Sequence, residues 1–133
     1  MAEKLQFELV SPEQLLLSKA VDMVVVPGVE GDFGALPRHA PLISVVRPGV
    51  IDVHEDGKVT NRIFVAGGFA EVNEERCTVL AEEAFPLDTV TREAAEARLA
   101  AARGAVSASG SSIERTSAER ELSIAEALRG AVA

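Results

Sequence analysis

Apolar and polar residues change rhythm part-way along the chain. Leu5, Phe7 and Leu9 alternate with Lys4, Gln6 and Glu8, which is the period of a half-buried strand. Residues 21–26 form a short apolar run that ends at Pro27. Residues 50–54 and 59–65 flank Asp56-Gly57, a strong tight-hairpin signal. Gly67-Gly68 separates that run from residues 69–73, and residues 76–81 follow an acidic turn. Short strands at regular spacing predict an antiparallel β-sandwich or barrel over residues 1–87.

From about Asp88 the period becomes helical. Val90, Ala94, Ala97 and Ala101 form one stripe, and Ala95, Leu99, Ala102 and Val106 form another. Two stripes imply two neighbours for a helix that starts at Asp88, Thr89 or Thr91 and ends near Arg103. Residues 107–112 read as the turn, and Ser111-x-x-Glu114 reads as a capping box opening a second helix. On that helix Ile113, Ile124 and Leu128 share one side, Ala118, Leu122 and Ala125 another, and Gly130 marks the end. Residues 88–133 are therefore expected to form an antiparallel two-helix hairpin. All six prolines and all five phenylalanines fall before Asp88. An alanine methyl contributes only about 0.8 kcal/mol on burial, against about 1.5–3 for Leu or Val, so the hairpin is expected to be weakly docked.

Charge narrows the partners. The net charge is −8, with fourteen acids and seven bases in residues 1–87. Nucleic acid and anionic lipid are poor partners for such a surface. No apolar run approaches the roughly 20 residues of a membrane span, and the first residues carry no signal-peptide pattern. A single cysteine, Cys77, cannot form an internal disulfide; its place in a strand-like run predicts a buried small hydrophobe.

Residues 28–42 combine Gly28, Gly31 and Gly34 with Glu30, Asp32, His39 and two prolines. The run breaks helix, yet Val29, Phe33, Leu36 and Leu42 make it too apolar for a free linker. A folded loop displaying Glu30, Asp32 and His39 is expected, and such loops on rigid scaffolds carry function. Three roles stand open for His39: a general base paired with Asp32, a structural group satisfying loop carbonyls, or a contact for a protein partner. The glycine spacing does not fit a dinucleotide loop, no phosphate loop or nucleophile elbow occurs, and two histidines 15 apart make no metal site. His54 is expected to face solvent. Neither catalytic nor metal-binding residues are expected.

The run Val24-Val25-Val26-Pro27-Gly28-Val29-Glu30-Gly31-Asp32-Phe33-Gly34-Ala35-Leu36-Pro37-Arg38-His39-Ala40-Pro41-Leu42 resembles the signature loop of the epsilon subunit of bacterial F-type ATP synthases. The likeness continues through Arg47-Pro48-Gly49-Val50-Ile51, Val65-Ala66-Gly67-Gly68-Phe69-Ala70-Glu71-Val72 and Val79-Leu80-Ala81-Glu82-Glu83-Ala84. The resemblance implies a flattened β-sandwich followed by two helices. It implies a non-catalytic rotor subunit that couples the gamma subunit to the c-ring of a proton-translocating complex. Such a subunit sits peripherally on the cytoplasmic face of the bacterial inner membrane. Its implied contact residues here are Asp32 and His39, with Glu30, Arg38, Ala40, Pro41 and Ser11 as neighbours. Arg115, Arg120 and Arg129 are the implied contacts of the hairpin with the alpha/beta catalytic head, through which it restrains ATP hydrolysis. No cofactor is expected. A rival reading makes the chain a sensor that binds ATP through the hairpin at Asp88 and Arg92. Against it, the arginine stands one place away from the family's ATP motif and Glu93 replaces its alanine.

Overall fold

The computed structural model describes residues 3–132. These divide into two compact units, one ending at Pro86 and the other beginning at Leu87.

The first unit is a curled β-sheet. Its strands are β1 (Leu5–Val10), β2 (Leu15–Val21), β3 (Met23–Gly28), β4 (Gly31–Ala35), β5 (Leu42–Val46), β6 (Gly49–Glu55), β7 (Lys58–Val65), β8 (Gly68–Val72), β9 (Arg76–Ala81) and β10 (Ala84–Pro86). They pair in the order β10-β7-β6-β3-β5-β8-β9-β1-β2, with β4 on the other side of β3. All pairings are antiparallel except β1 with β9. The sheet wraps one core of Leu5, Phe7, Leu9, Val21, Val24, Val26, Ile51, Val53, Val72, Cys77 and Val79, among others. Cys77 is fully buried, and burial pushes its thiol up to about 12, which makes it an inert packing group. His54 is half-buried, on the face of β6 opposite Ile51 and Val53.

The Asp56-Gly57 hairpin forms as expected, with φ of 53° and 76° giving the mirror-image turn that suits strand twist. Three other expectations change. The chain does not leave its strand at Pro27: β3 continues to Gly28, because the Pro27 carbonyl accepts the Arg47 N–H and the ring has no donor to lose. The glycine-rich segment is not a loop throughout, since β4 zips back along β3 from Gly28↔Gly31 to Val24↔Ala35. β2, β5 and β10 are additional strands.

A polar seam ties β2 to the β6–β7 hairpin. Lys19 Nζ donates to Glu55 Oε2 at 2.7 Å and to Asn61 Oδ1 at 2.8 Å. Lys4 pairs with Asp22, whose second oxygen accepts the Asp56 N–H at 2.6 Å. The Lys4 hydrogen bond and the Asp56 amide hold Asp22 below its ordinary 3.8, and Lys19 with Thr60 holds Glu55 below 4.5. A depressed carboxylate stabilises the fold above its unfolded value and loses that contribution as pH falls through its folded value. The melting temperature is therefore expected to drop on acidification, starting as pH approaches 4.5 and continuing below 3.8. Asp22→Asn should flatten part of that slope; a melting profile with the same acid slope in the variant would exclude Asp22 as its source.

The second unit opens with a single 3-10 turn at Leu87–Thr89. It pairs α1 (Arg92–Ala108) with α2 (Ser112–Ala131). Thr91 caps α1 by accepting the Ala94 N–H at 3.1 Å, and the helix runs past Arg103 because nothing before Ser109 stops it. Ser111 caps α2 by accepting from Glu114, whose carboxylate takes the Gly110 N–H instead of closing the reciprocal bond. Gly130 is the last residue but one of α2, which ends at Ala131. Of the two stripes on α1, one is covered: Ala95 and Ala102 are buried, whereas Ala94, Ala97 and Ala101 are exposed. On α2, Ala118, Ile124, Ala125 and Leu128 are buried, but Ile113 is 81% exposed. Arg98 grips Glu121 with both Nε (2.7 Å) and Nη2 (3.3 Å), and Arg129 reaches Glu96 at 3.1 Å. Charge pairs thus supplement a buried side made of four alanines with Ile124 and Leu128.

Candidate functional site

The Val29-Glu30 apex of the β3–β4 hairpin is a two-residue loop closed by Gly28↔Gly31. Gly31 takes a φ of 133°, and a side chain at Gly28 would press on the Gly31 carbonyl at 2.9 Å. Arg47 clamps this tip: Nη1 donates to Gly28 O and Nη2 to Asp32 Oδ1, both at 2.5 Å. Val29 N–H donates to Val45 O at 3.0 Å. Val29 and Glu30 stay exposed at the apex.

The remaining residues of the motif occupy the β4–β5 connection. Arg38 adopts φ 67°, donates its N–H to Glu74 O at 2.7 Å, and pairs with Glu3 at 2.7 Å. His39 is half-buried; its N–H donates to Leu36 O and its Nδ1 meets Ala40 O at 2.5 Å. A carbonyl can only accept, so Nδ1 carries the proton. Ala40 and Pro41 are exposed. Ser11 lies in the β1–β2 turn, where its N–H and Oγ both donate to Gln14 O.

These contacts correct one reading. Asp32 is not the partner of His39: the carboxylate takes Arg47 and the imidazole takes a carbonyl. No acid–base pair forms there, and the imidazole is held by the Ala40 carbonyl of its own loop. Ser11 and the Arg38 connection are also separated, since Glu3, which holds Arg38, precedes β1 and Ser11 follows it. Six strand residues between them span about 20 Å. In the helical unit Arg115 pairs with Glu119 at 3.5 Å, Arg129 with Glu96, and Arg120 is exposed. Asp88 lies exposed in the 3-10 turn, and Arg92 pairs with Glu96 at 3.3 Å. Among the described residues no cluster of three metal-ligating side chains occurs.

What the polar residues surround is more telling. β5, β8, β9, β1 and β2 turn one face to the core and one outward. On the outward face the register aligns Val45↔Phe69↔Leu80↔Val10↔Leu15. Val45 is 47%, Phe69 57%, Leu80 54% and Leu15 56% exposed, and Ile43 beside them 75%. The next row is polar apart from Ile43: Glu71, Thr78 and Glu8. Glu8 pairs with Arg76 at 3.1 Å and Gln6 donates to Ser18 at 3.0 Å. Isolated exposed apolar residues are ordinary, but a continuous ladder of them with a polar border marks a docking surface. Val29 continues the ladder at one edge through its bond to Val45, and Ser11 follows Val10 at the other. Val45, Phe69, Leu80, Val10 and Leu15 were not among the contact residues expected from the sequence.

The β-sandwich domain of the ATP synthase delta/epsilon chain matches residues 4–87 of this chain. The ATP synthase epsilon chain of Paramagnetospirillum magneticum is 62% identical over 133 residues, covering both chains completely. The chain belongs to the ATP synthase epsilon chain family. The epsilon chain of Rhodospirillum rubrum is 60% identical over 131 residues, 98% of each chain. Among solved structures, a chain of the Euglena gracilis mitochondrial ATP synthase (OSCP/F1/c-ring) superposes with a TM-score of 0.82 at 27% identity, over 96% of this chain and 81% of that one. A chain of the Tetrahymena thermophila mitochondrial ATP synthase central stalk shares the fold, with a TM-score of 0.71 at 14% identity over 98% of each. As an epsilon-family member the chain is a rotor subunit of an F-type ATP synthase, peripheral to the membrane. Among its described residues no helix is long and apolar enough to cross a bilayer.

Proposed function

We propose that the outward face of β5-β8-β9-β1-β2 docks on the gamma subunit, and that the Val29-Glu30-Gly31-Asp32 tip meets the polar loops of the c-ring. The observation that carries this is the ladder Val45-Phe69-Leu80-Val10, apolar where a solvated sheet face would be polar. The joint transmits torque by shape and contact and makes no bonds, so the chain needs neither catalytic residues nor a cofactor of its own. Asp32 and His39 are committed to Arg47 and Ala40, which suits that role. The chain then lies on the cytoplasmic face of the inner membrane, held there by the proton-translocating complex.

The helical hairpin is the element we assign to restraint of ATP hydrolysis, with Arg115, Arg120 and Arg129 meeting the alpha/beta head. Few large apolar residues are buried in this unit, so it can rearrange while the β unit keeps its own core. Two measurements test the proposal. Tagged full-length chain should bring down gamma and c-ring subunits. A chain ending at Leu87 should still assemble, and the complex carrying it should hydrolyse ATP faster than one with the full chain. Equal rates would remove the restraining role, and recovery without gamma would remove the docking assignment.

A further inference from the structure

Resting on that reading of the tip, we infer that Arg47 is a positioning residue that neutralises Asp32 and leaves Glu30 as the carboxylate offered to the partner. Arg47 touches the hairpin three times. Its N–H donates to Pro27 O at 2.8 Å, and its guanidinium bridges Gly28 O and Asp32 Oδ1. The planar fork reaches both acceptors at once, which a lysine ammonium does less well. Pro48 and Gly49 explain why the arginine can do so. The chain passes from β5 to β6 at this point, and a side chain at Gly49 would strike Pro27 Cβ at 2.9 Å. The Arg47-Pro48-Gly49 segment therefore packs directly against the base of the tip.

Two consequences follow for recognition. An incoming basic or amide group meets at Asp32 a charge already shared with Arg47. Glu30 sits exposed at the apex, one residue from Val29, whose N–H is fixed to Val45 O. The tip is thereby held level with the apolar ladder, so one carboxylate and one hydrophobic band are presented as a unit. Because Arg47 and Asp32 are 42% and 60% exposed, their pair adds little to stability, and its value lies in orientation.

The test uses the full chain and F-type complex stripped of its own copy of this subunit. Glu30→Lys is expected to weaken rebinding about tenfold with an unchanged melting temperature and unchanged amide exchange. Arg47→Gln and Asp32→Asn are each expected to speed exchange of the Val29 amide about tenfold while the core amides stay protected. Exchanging the two charges, Asp32→Arg with Arg47→Asp, should recover much of that protection. Rebinding unaffected by Glu30→Lys but lost in Asp32→Asn, with Val29 exchange unchanged, would overturn the inference. Failure of the unaltered chain to rebind would overturn the docking reading instead, while the exchange measurement still decides whether Arg47 orders the tip.

Discussion

Phe69→Glu should weaken docking of the chain on the gamma subunit by about 100-fold, equivalent to about 2.7 kcal/mol. Phe69 stands at the middle of the ladder, with Val45 on one side and Leu80 on the other. An aromatic residue at the centre of an interface is where truncation costs most. The glutamate adds a second loss, because a carboxylate covered by an apolar partner surface gives up its water without a counter-charge. The isolated chain should tolerate the change. Phe69 is 57% exposed and points away from the core, so the melting temperature should move by only a few degrees.

Leu80→Glu should behave alike, since Leu80 pairs with Phe69 and is 54% exposed. Thr78→Glu is the contrasting variant. Thr78 lies two residues along the same strand and on the same face, but in the polar row between Glu71 and Glu8. It is expected to alter the salt dependence of association more than its strength. Pull-down affinities of these three variants locate the centre of the surface. Equal losses at Leu80 and Thr78 would mean that charge, and not the apolar ladder, governs docking.

How much of this was legible before the structure depended on alternation. β1, β6, β7, β8 and β9 carry apolar residues on their inward positions and turn signals at their ends, so their period showed. β2 did not show, because Leu15-Leu16-Leu17 has no period and, before Val21, no residue of this edge strand is fully covered. β4 was hidden by Gly31 and Gly34, which weaken strand propensity; its order comes from pairing with β3. β10 has only three residues. In the helices the cap residues Thr91 and Ser111 were readable, yet the two alanine stripes looked equivalent and only packing distinguished them. The docking surface failed for a related reason. Polar residues in a glycine-rich motif attract notice, so Asp32 and His39 stood out, whereas the bonds that hold them to Arg47 and Ala40 had no signal in the sequence. The ladder is built from residues that a periodicity argument assigns to a core. Its signal was present in Val45-Val46, Phe69-Ala70 and Val79-Leu80, where adjacent apolar residues cover both faces of a strand. Only the register across β5, β8 and β9 makes those pairs one surface.

Gly68→Ala is expected to destabilise the β unit by about 3–4 kcal/mol, the largest effect of any single methyl group considered. Gly68 has a φ of 142°, where a side chain is strained in any surroundings. Its surroundings make matters worse. The added Cβ would lie 2.0 Å from the Leu80 carbonyl oxygen and 3.0 Å from Ala81 Cα, and backbone atoms in a paired strand cannot turn aside. The strand must move, and with it the pairing Gly68↔Ala81 and Phe69↔Leu80. Two other glycines calibrate the claim. Gly67 has a φ of 119° but meets nothing nearer than Val46 O at 3.5 Å, and Gly57 has a φ of 76° with nothing within 4 Å. Gly67→Ala and Gly57→Ala should each cost only the conformational strain, about 1–2 kcal/mol. Hydrogen exchange of the buried Phe7 and Val79 amides reads the difference without relying on the helical unit. If Gly68→Ala costs no more than Gly57→Ala, the close approach of β8 to Leu80 is wrong. The same displacement should reach function, because the carbonyl that blocks the methyl belongs to Leu80. A chain that folds with Gly68→Ala must shift Leu80 against Phe69, so docking on gamma should weaken even though neither ladder residue has been changed.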